Sequence, residues 1–291
     1  MIVALGELAL FILVKPSPRP HREPGPGSVT MSGGGSAANF AVWVSRLGQN
    51  ARFIGKVGTD SAAELLEIDL LKEGVLPELV RGEGSTATVT RIMGNAGEHA
   101  LFPDRGVAPK LTVAEVAPEW LADATWLHLP ATSLYELPIA GAAAKAVRLA
   151  RKAGARVSID LASAAGLHAY GLAKFSLLLK TIRPDVLFAN QQQAMLFKGG
   201  ALGELCEIAV LKMGAAGCAS SDGGGFREYP AERVHVVDAI GAGDAFDAAW
   251  CATYIRTGDV PQACRRANKL AAQVIRLPGL RPPLSPVRPA G

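Results

Sequence analysis

Between residues 111 and 275 the apolar positions switch regularly between two spacings. Helix-period stretches at 113–122, 137–153, 171–182 and 191–198 alternate with strand-like runs at 125–129, 155–160, 185–188 and 208–212. The runs at 186–189 and 208–211 are apolar at every position. Such strands belong to a parallel sheet covered on both faces. A hairpin at 218–221 and 226–229, a strand at 233–237 and two closing helices at about 242–257 and 260–275 complete this half.

The first hundred residues are patterned differently. Short β-type runs at 2–5 and 8–14 are split by Gly6-Glu7, and five prolines follow from Pro16 to Pro26. A short returning strand at 29–31 precedes a glycine turn and a helix within 33–48, where Phe40, Val44 and Leu47 share a face and Gly48 closes the end. A strand at 52–57 and a helix at 61–74 come next, the helix capped by Asp60 or Ser61 and followed by Gly74. Runs at 86–93 and 99–102 flank Gly94-Asn95-Ala96-Gly97 as a hairpin. The β-only segments, about 8–31 and 84–104, are too small to fold alone. They predict a lid sheet inserted in one α/β domain spanning 1–291, built on a doubly wound, mostly parallel sheet.

Composition narrows the functional classes. Of 291 residues 49% are apolar and 19% charged, which suits a compact globule. The net charge is only +4, and its densest basic set, Arg265, Arg266, Lys269, Arg276 and Arg281, has the spacing of a solvated face rather than of a nucleic-acid patch. The four cysteines form neither a CxxC pair nor a cluster with histidine, so they predict free thiols in a reducing compartment and no metal cage. No apolar run approaches the roughly 20 residues a membrane helix needs. A cytoplasmic protein without membrane or nucleic-acid partners is expected. The proline-rich stretch after Leu277 reads as a strap laid on the surface.

Chemistry concentrates in Asp238-Ala239-Ile240-Gly241-Ala242-Gly243-Asp244, between an apolar run and an amphipathic helix. Glycines at 241 and 243 let the backbone turn sharply and present consecutive N–H groups at a helix N-terminus, a nest for anionic oxygens. Asp244 would stand at its mouth as a base for an attacking hydroxyl. A plain strand–helix turn with an N-capping Asp fits the same residues equally well. There is no GxxxxGK[ST]. The Gly33-Gly34-Gly35-Ser36-Ala37-Ala38 run lacks the βαβ setting and the later acidic residue of a dinucleotide site.

The 238–244 stretch resembles the DTxGAGD signature of the ribokinase-like (PfkB) carbohydrate kinases, and Gly33 to Asn39 resembles their GGxxxN signature. Four further pieces fall in the family's order: Gly6-Glu7, Asn190-Gln191-Gln192-Gln193, Lys212-Met213-Gly214-Ala215-Ala216-Gly217, and Ala267-Asn268 with Ala271-Ala272. The resemblance implies a three-layer α/β/α domain with a β lid that moves the γ-phosphoryl group of ATP, brought with Mg2+, to a hydroxyl of a small sugar or sugar-like alcohol. Asp244 would be the base and the amides of Gly241, Ala242 and Gly243 the anion hole. Gly34, Gly35 and Asn39 would line the acceptor site. Lys212, Gly214 and Gly217 would face the nucleotide, with Asn190 on the same side and Asn268 near the adenine. Relatives' lids pair, so a homodimer through the lid is compatible, with the prolines at 16–26 either blocking or capping that edge.

Departures from the pattern fall on the acceptor and metal side. Phe11 stands where the family has a sugar-binding Asp; it either stacks on an altered acceptor or sits in the lid core. Gln193 replaces the Glu of NxxE, and Ala239 replaces the Thr near a monovalent-cation site, which leaves Mg2+ and K+ dependence open. Arg105 would meet a substrate carboxylate or phosphate, or pair with Asp104. Asp160 would be a ligand at the sheet's C-terminal edge or a helix N-cap. His128, Trp43 and Trp250 read as core. A sugar- or nucleoside-binding regulatory protein on the same fold is the alternative to an enzyme.

Overall fold

The structure, a computed structural model, describes residues 1–16, 27–94, 99–197 and 201–283. Most of the expected proline loop and the tip of the lid hairpin lie outside the described residues. Along the chain run β1 (Ile2–Leu5), β2 (Ala9–Pro16), β3 (Gly27–Gly34), α1 (Ser36–Arg46), β4 (Ala51–Val57), α2 (Ser61–Lys72), β5 (Val75–Arg81), β6 (Ala87–Met93) and β7 (His99–Asp104). The second half contains β8 (Trp126–Pro130), α3 (Ile139–Lys152), β9 (Arg156–Asp160), α4 (Ala164–Tyr170), α5 (Leu172–Ile182), β10 (Val186–Asn190) and α6 (Gln191–Leu196). It closes with β11 (Ile208–Lys212), β12 (Cys218–Ser221), β13 (Arg227–Tyr229), α7 (Ala242–Thr257) and α8 (Val260–Val274).

Nine strands form one sheet in the order β13-β12-β11-β10-β9-β8-β1-β4-β5. Neighbours are parallel except where β12 runs against β11 and β13. Side chains alternate across its faces, so Ile2 and Ala4 pack with α1, α2, α7 and α8, while Val3 and Leu5 pack with α3, α4 and α5. The result is a three-layer α/β/α body. α3 lies close to the sheet because its buried face, Ile139, Ala142, Ala143, Ala146, Val147 and Ala150, is mostly alanine.

The second sheet, β3-β2-β6-β7, stands on the body. Phe11 pairs with Ser32 and Val89, and its ring is buried with Leu13 and Leu280 on the inward face. The opposite face exposes Val29, Met31, Ile92 and Phe102. Asp60 ties the lid's root to the body. One of its carboxylate oxygens caps α2 at the Ala63 amide, and both meet Thr86, the residue before β6. Burial pushes the Asp60 carboxyl up, but the bonds from Thr86 and Ala63 prevail and hold it below the usual range.

Several expected elements are corrected. β5 is an edge strand that the pattern does not announce, because Pro77 and Glu78 interrupt it; an edge position tolerates both. In 113–122 only a single 3-10 turn, Pro118–Leu121, forms, since Pro118 removes a helical donor. Residues 233–237 are not a strand. Val236 and Val237 are exposed, and the Val237 amide instead donates to the Ile275 carbonyl at the end of α8. α4, absent from the expected elements, begins at a Ser163 cap. Among the described residues no helix is long and apolar enough to cross a membrane.

Candidate active site

Two helix N-termini meet above the C-terminal ends of the central strands. α1 starts after Gly35, whose φ is 96°; a side chain there would come within 2.2 Å of the Glu7 carbonyl oxygen. α7 starts after Gly241, with φ 75°, where a Cβ would lie 2.4 Å from the Leu280 carbonyl. Only glycine fits both positions. The first regular turn of α7 is closed by the Ala245 amide on the Gly241 carbonyl, so the amides of Gly243 and Asp244 precede the helical ladder. The Ala242 amide instead turns back to the Ala239 carbonyl at 3.4 Å.

Between the helices lies a cavity of about 360 Å3, bordered by Glu7, Phe11, Asn39, Thr132, Asp244 and Leu280. Asn39, 2% exposed, donates from Nδ2 to Asp244 Oδ2 at 2.7 Å. Burial raises the Asp244 carboxyl to about 6, against the lowering effect of the Asn39 bond; Asp160 adds to the rise, while Lys212 and the Ser36 hydroxyl oppose it. A wider cleft of about 560 Å3 sits at the other end of the sheet, beside Arg183, Asp185 and Glu207. Its one thiol, Cys206, is pushed up to about 12 by burial, so that cleft presents no activated nucleophile.

Beneath the α7 turn the Lys212 ammonium bonds Asp160 and, at 3.1 Å, both oxygens of Asp247. Burial opposes the charge on Lys212, but the two carboxylates hold its pKa above the usual lysine range. Of the acids, Asp160 is held low by Lys212 despite burial, whereas burial drives Asp247 high. One ammonium thus bonds two buried acids that burial and its charge pull in opposite directions. A Cβ on Gly243 would lie 3.4 Å from this ammonium, which places its charge directly behind the glycine turn. Asp160 also accepts from the Ala162 amide, and the α4 cap is Ser163 instead.

On the nucleotide side of the expected map, Gly217 has φ 95° and no room for a side chain, because the Tyr229 carbonyl would lie 2.2 Å away. Gly214 is also left-handed, with φ 59°, and faces open space. Asn268 is buried and donates to the carbonyls of Tyr229 and Pro230, so it shapes the wall of this loop from behind. Asn190 caps α6, and Gln193 returns the bond in a capping box. Arg105 does not pair with Asp104; it bonds Glu7, Glu136 and the Thr132 carbonyl at the cavity rim. Gly34 backs onto Phe11 and Leu280. His128 is a core residue: it bonds Ser158, stacks on Phe40, and burial lowers its pKa to about 3.

The tail is where the sequence reading misses most. Residues 277–283 lie only partly on the surface: Leu277, Pro278 and Pro283 are exposed, but Leu280 is 7% exposed and borders the cavity. Arg281, read with the solvated basic set, is buried against Asn39 and Asp69, while Arg265, Arg266, Lys269 and Arg276 are exposed. No periodicity or spacing in a proline-rich tail signals such contacts.

A family model described as "pfkB family carbohydrate kinase" matches residues 1–287. The chain is 33% identical over 263 residues, 87% of its length and 84% of the relative's, to an ATP-dependent ribose-1-phosphate kinase of Halopiger xanaduensis. It is 32% identical to a fructokinase of Escherichia coli, over 73% of this chain and 74% of that one. Among solved structures, adenosine kinase from Sinorhizobium meliloti superposes with a TM-score of 0.86 at 22% identity, covering 98% of this chain and 96% of the other. Fructokinase with bound ATP from Xylella fastidiosa gives 0.81 at 22%, covering 96% and 93%. These matches share the layered body and second sheet described above, and the chain belongs to the pfkB family of carbohydrate kinases.

Proposed function

We propose that Asp244 is the general base of an ATP-dependent transfer to a hydroxyl of a monosaccharide-sized acceptor held in the cavity. The observation that carries this reading is the Asn39–Asp244 bond inside that cavity. One carboxylate oxygen is occupied by Asn39, leaving the other for the acceptor. With a pKa of about 6, Asp244 is largely ionised at neutral pH and able to take a proton. The acceptor O–H gives its proton to Asp244 while its oxygen bonds to the γ-phosphorus; the bond from that phosphorus to the β–γ bridging oxygen breaks and ADP leaves. The amides of Gly241, Gly243 and Asp244, with the Lys212 charge behind them, would stabilise the equatorial oxygens.

ATP would lie along the 212–217 loop, which adjoins the α7 turn through Lys212. Asn190 at the α6 cap borders this side, and Asn268 acts through the Tyr229 and Pro230 carbonyls. Among the described residues no group of three His, Cys, Asp or Glu side chains is arranged to hold a metal, and the Gln193 carbonyl is used by its cap. These residues do not make a resident metal cage, so Mg2+ enters as the partner of the ATP phosphates. In the acceptor site, Glu7, Asn39 and Thr132 offer polar contacts and Phe11 with Leu280 an apolar wall, with Gly34 and Gly35 behind them. Arg105 neutralises Glu7 at the rim. The exposed apolar face of the lid supports pairing with a second copy. A cytoplasmic location accords with the unpaired cysteines.

The experiment is ADP release from Mg-ATP with a panel containing ribose-1-phosphate, fructose, sugar acids and nucleosides, run beside Asp244→Asn. Acceptor-dependent turnover that falls by about 10²–10⁴ in the variant supports the reading. Acceptors that shift the melting temperature without turning over would point to a binding protein instead.

A further inference from the structure

The strap after α8 reaches the base through one side chain. Arg281 donates from Nε to Asn39 Oδ1 at 2.7 Å and from Nη1 to Asp69 Oδ2 at 2.7 Å. The backbone beside it is held as firmly: Arg46 donates to the carbonyls of Arg281 and Pro282, and the Gly279 amide donates to Asp238, itself paired with Arg91 of the lid. The Arg281 side chain is only 5% exposed, and its Nη2 has no partner among the described residues. Burying a guanidinium with a single carboxylate and one idle nitrogen is unfavourable for stability alone.

An amide side chain has a donor end and an acceptor end of nearly identical shape, so its orientation is decided by its neighbours. Arginine only donates, and an ionised carboxylate only accepts. Asn39 lies between one of each, with Oδ1 toward Arg281 and Nδ2 toward Asp244. Rotating the amide by half a turn would set its oxygen against the carboxylate and its NH2 against the guanidinium. We infer that Arg281 is a positioning residue for the base: its guanidinium holds the Asn39 amide in the one orientation that donates to Asp244.

This inference rests on Asp244 being the base, but its test does not require turnover. The charged groups around Asp244 are Asp160 at the end of β9, Lys212 at the end of β11, Asp247 of α7 bonded to that ammonium, Glu7 across the cavity, and Arg281 itself. The first four are unchanged in the variants, so a change in titration reports the strap. The Asp244 side-chain carboxyl is followed by carbon NMR in protein labelled with 13C-aspartate and assigned by its loss in Asp244→Asn. Its midpoint is expected to rise by about one unit in Arg281→Met, and to return part of the way in Arg281→Lys. Asn39→Ala should raise it similarly, and the double variant should shift no further, because both changes cut the same chain of bonds. With an acceptor that turns over, Arg281→Met should lower kcat at pH 7 and move the acid limb upward by the same amount, with KM little changed.

A midpoint in Arg281→Met that coincides with the wild type, or shifts that add fully in the double variant, would overturn the inference. If Arg281→Met does not fold, the cycle is run with Arg281→Lys and Asn39→Ala under the same criterion. An inactive protein that still shows the coupled titration would leave the positioning role standing and reject the kinase reading alone.

Discussion

Asn39 and Asp244, 205 positions apart in the chain, meet through a 2.7 Å hydrogen bond that joins the first turns of α1 and α7. The contact makes the two signature stretches one device, and each helix begins at a left-handed glycine where a side chain would strike a backbone carbonyl, that of Glu7 at Gly35 and that of Leu280 at Gly241.

Replacing the donor with an acid tests that bond. In Asn39→Asp a second carboxylate stands where Nδ2 now lies, with nearly the same volume. Two like charges at that range cannot both ionise freely, so proton affinity at Asp244 rises. The acid limb of kcat/KM should move from near pH 6 to above pH 7, and activity at pH 7 should fall at least about twofold. A variant with the wild-type limb would show that Asn39 does not tune the base.

Stability should respond to pH in the opposite sense to most aspartates. The Asp244 carboxyl is raised from 3.8 to about 6 in the fold, so between these values the native state binds the extra proton. Stability is therefore present in full below about pH 4 and declines as pH rises through 6. Asp244→Asn removes this penalty. It should stabilise the protein by about 3 kcal/mol at pH 8 and have no effect at pH 4. Denaturant titrations at the two pH values provide the measurement, and equal effects at both would contradict the assignment.

The buried Lys212 cluster should be costly to break. Lys212→Met leaves Asp160 without its counter-charge, which should destabilise the fold by about 3–5 kcal/mol near neutral pH. The loss should shrink in acid, where Asp160 can take up a proton. A small, pH-independent change in urea midpoint would argue against this charge balance.

Two glycines in the same turn should behave differently. Gly241→Ala meets both a left-handed backbone and the Leu280 carbonyl, so it should cost more than about 1 kcal/mol and dislodge the strap. Gly243→Ala meets only the end of the Lys212 side chain at 3.4 Å, within helix α7, and should change thermal stability little. Similar melting curves for the two variants would refute the close packing of the strap on this turn.

The outer lid face yields a test of assembly. Ile12 is flanked by Met31 and Thr90, and Thr90 by Phe102, in a continuous row across the sheet. If two lids pair there, Phe102→Glu should convert a dimer to a monomer in sedimentation equilibrium at micromolar concentration. A wild-type protein that is monomeric under those conditions rejects the pairing.

How much of this could be read from the residues depends on whether a residue's role is local. The parallel half was legible because Val186–Ala189 and Ile208–Val210 are buried on both faces, a condition that leaves no room for polar positions. β5 was not, because an edge strand answers to one neighbour and can hold Pro77 and Glu78. The apolar run ending at Val237 misleads for the complementary reason: its β-like composition never gains a sheet partner among the described residues. In the site, Gly35 and Gly241 follow from the turns they make, and sequence marks Asn39 and Asp244 separately. That these two touch, and that Arg281 touches one of them from 242 positions away, depends on packing across the whole body.

The origin of Leu280 and Arg281 in the strap also sets an order of events during synthesis. Chains grow from the N-terminus, so β1, the lid and α1 emerge while the residues that wall the cavity and anchor Asn39 have yet to be made. A nascent chain can fold most of its layers and still present an unfinished pocket. Phosphoryl transfer would then begin only after translation has passed α8, and a stop codon between the end of α8 and codon 280 would yield a well-layered but incompetent product.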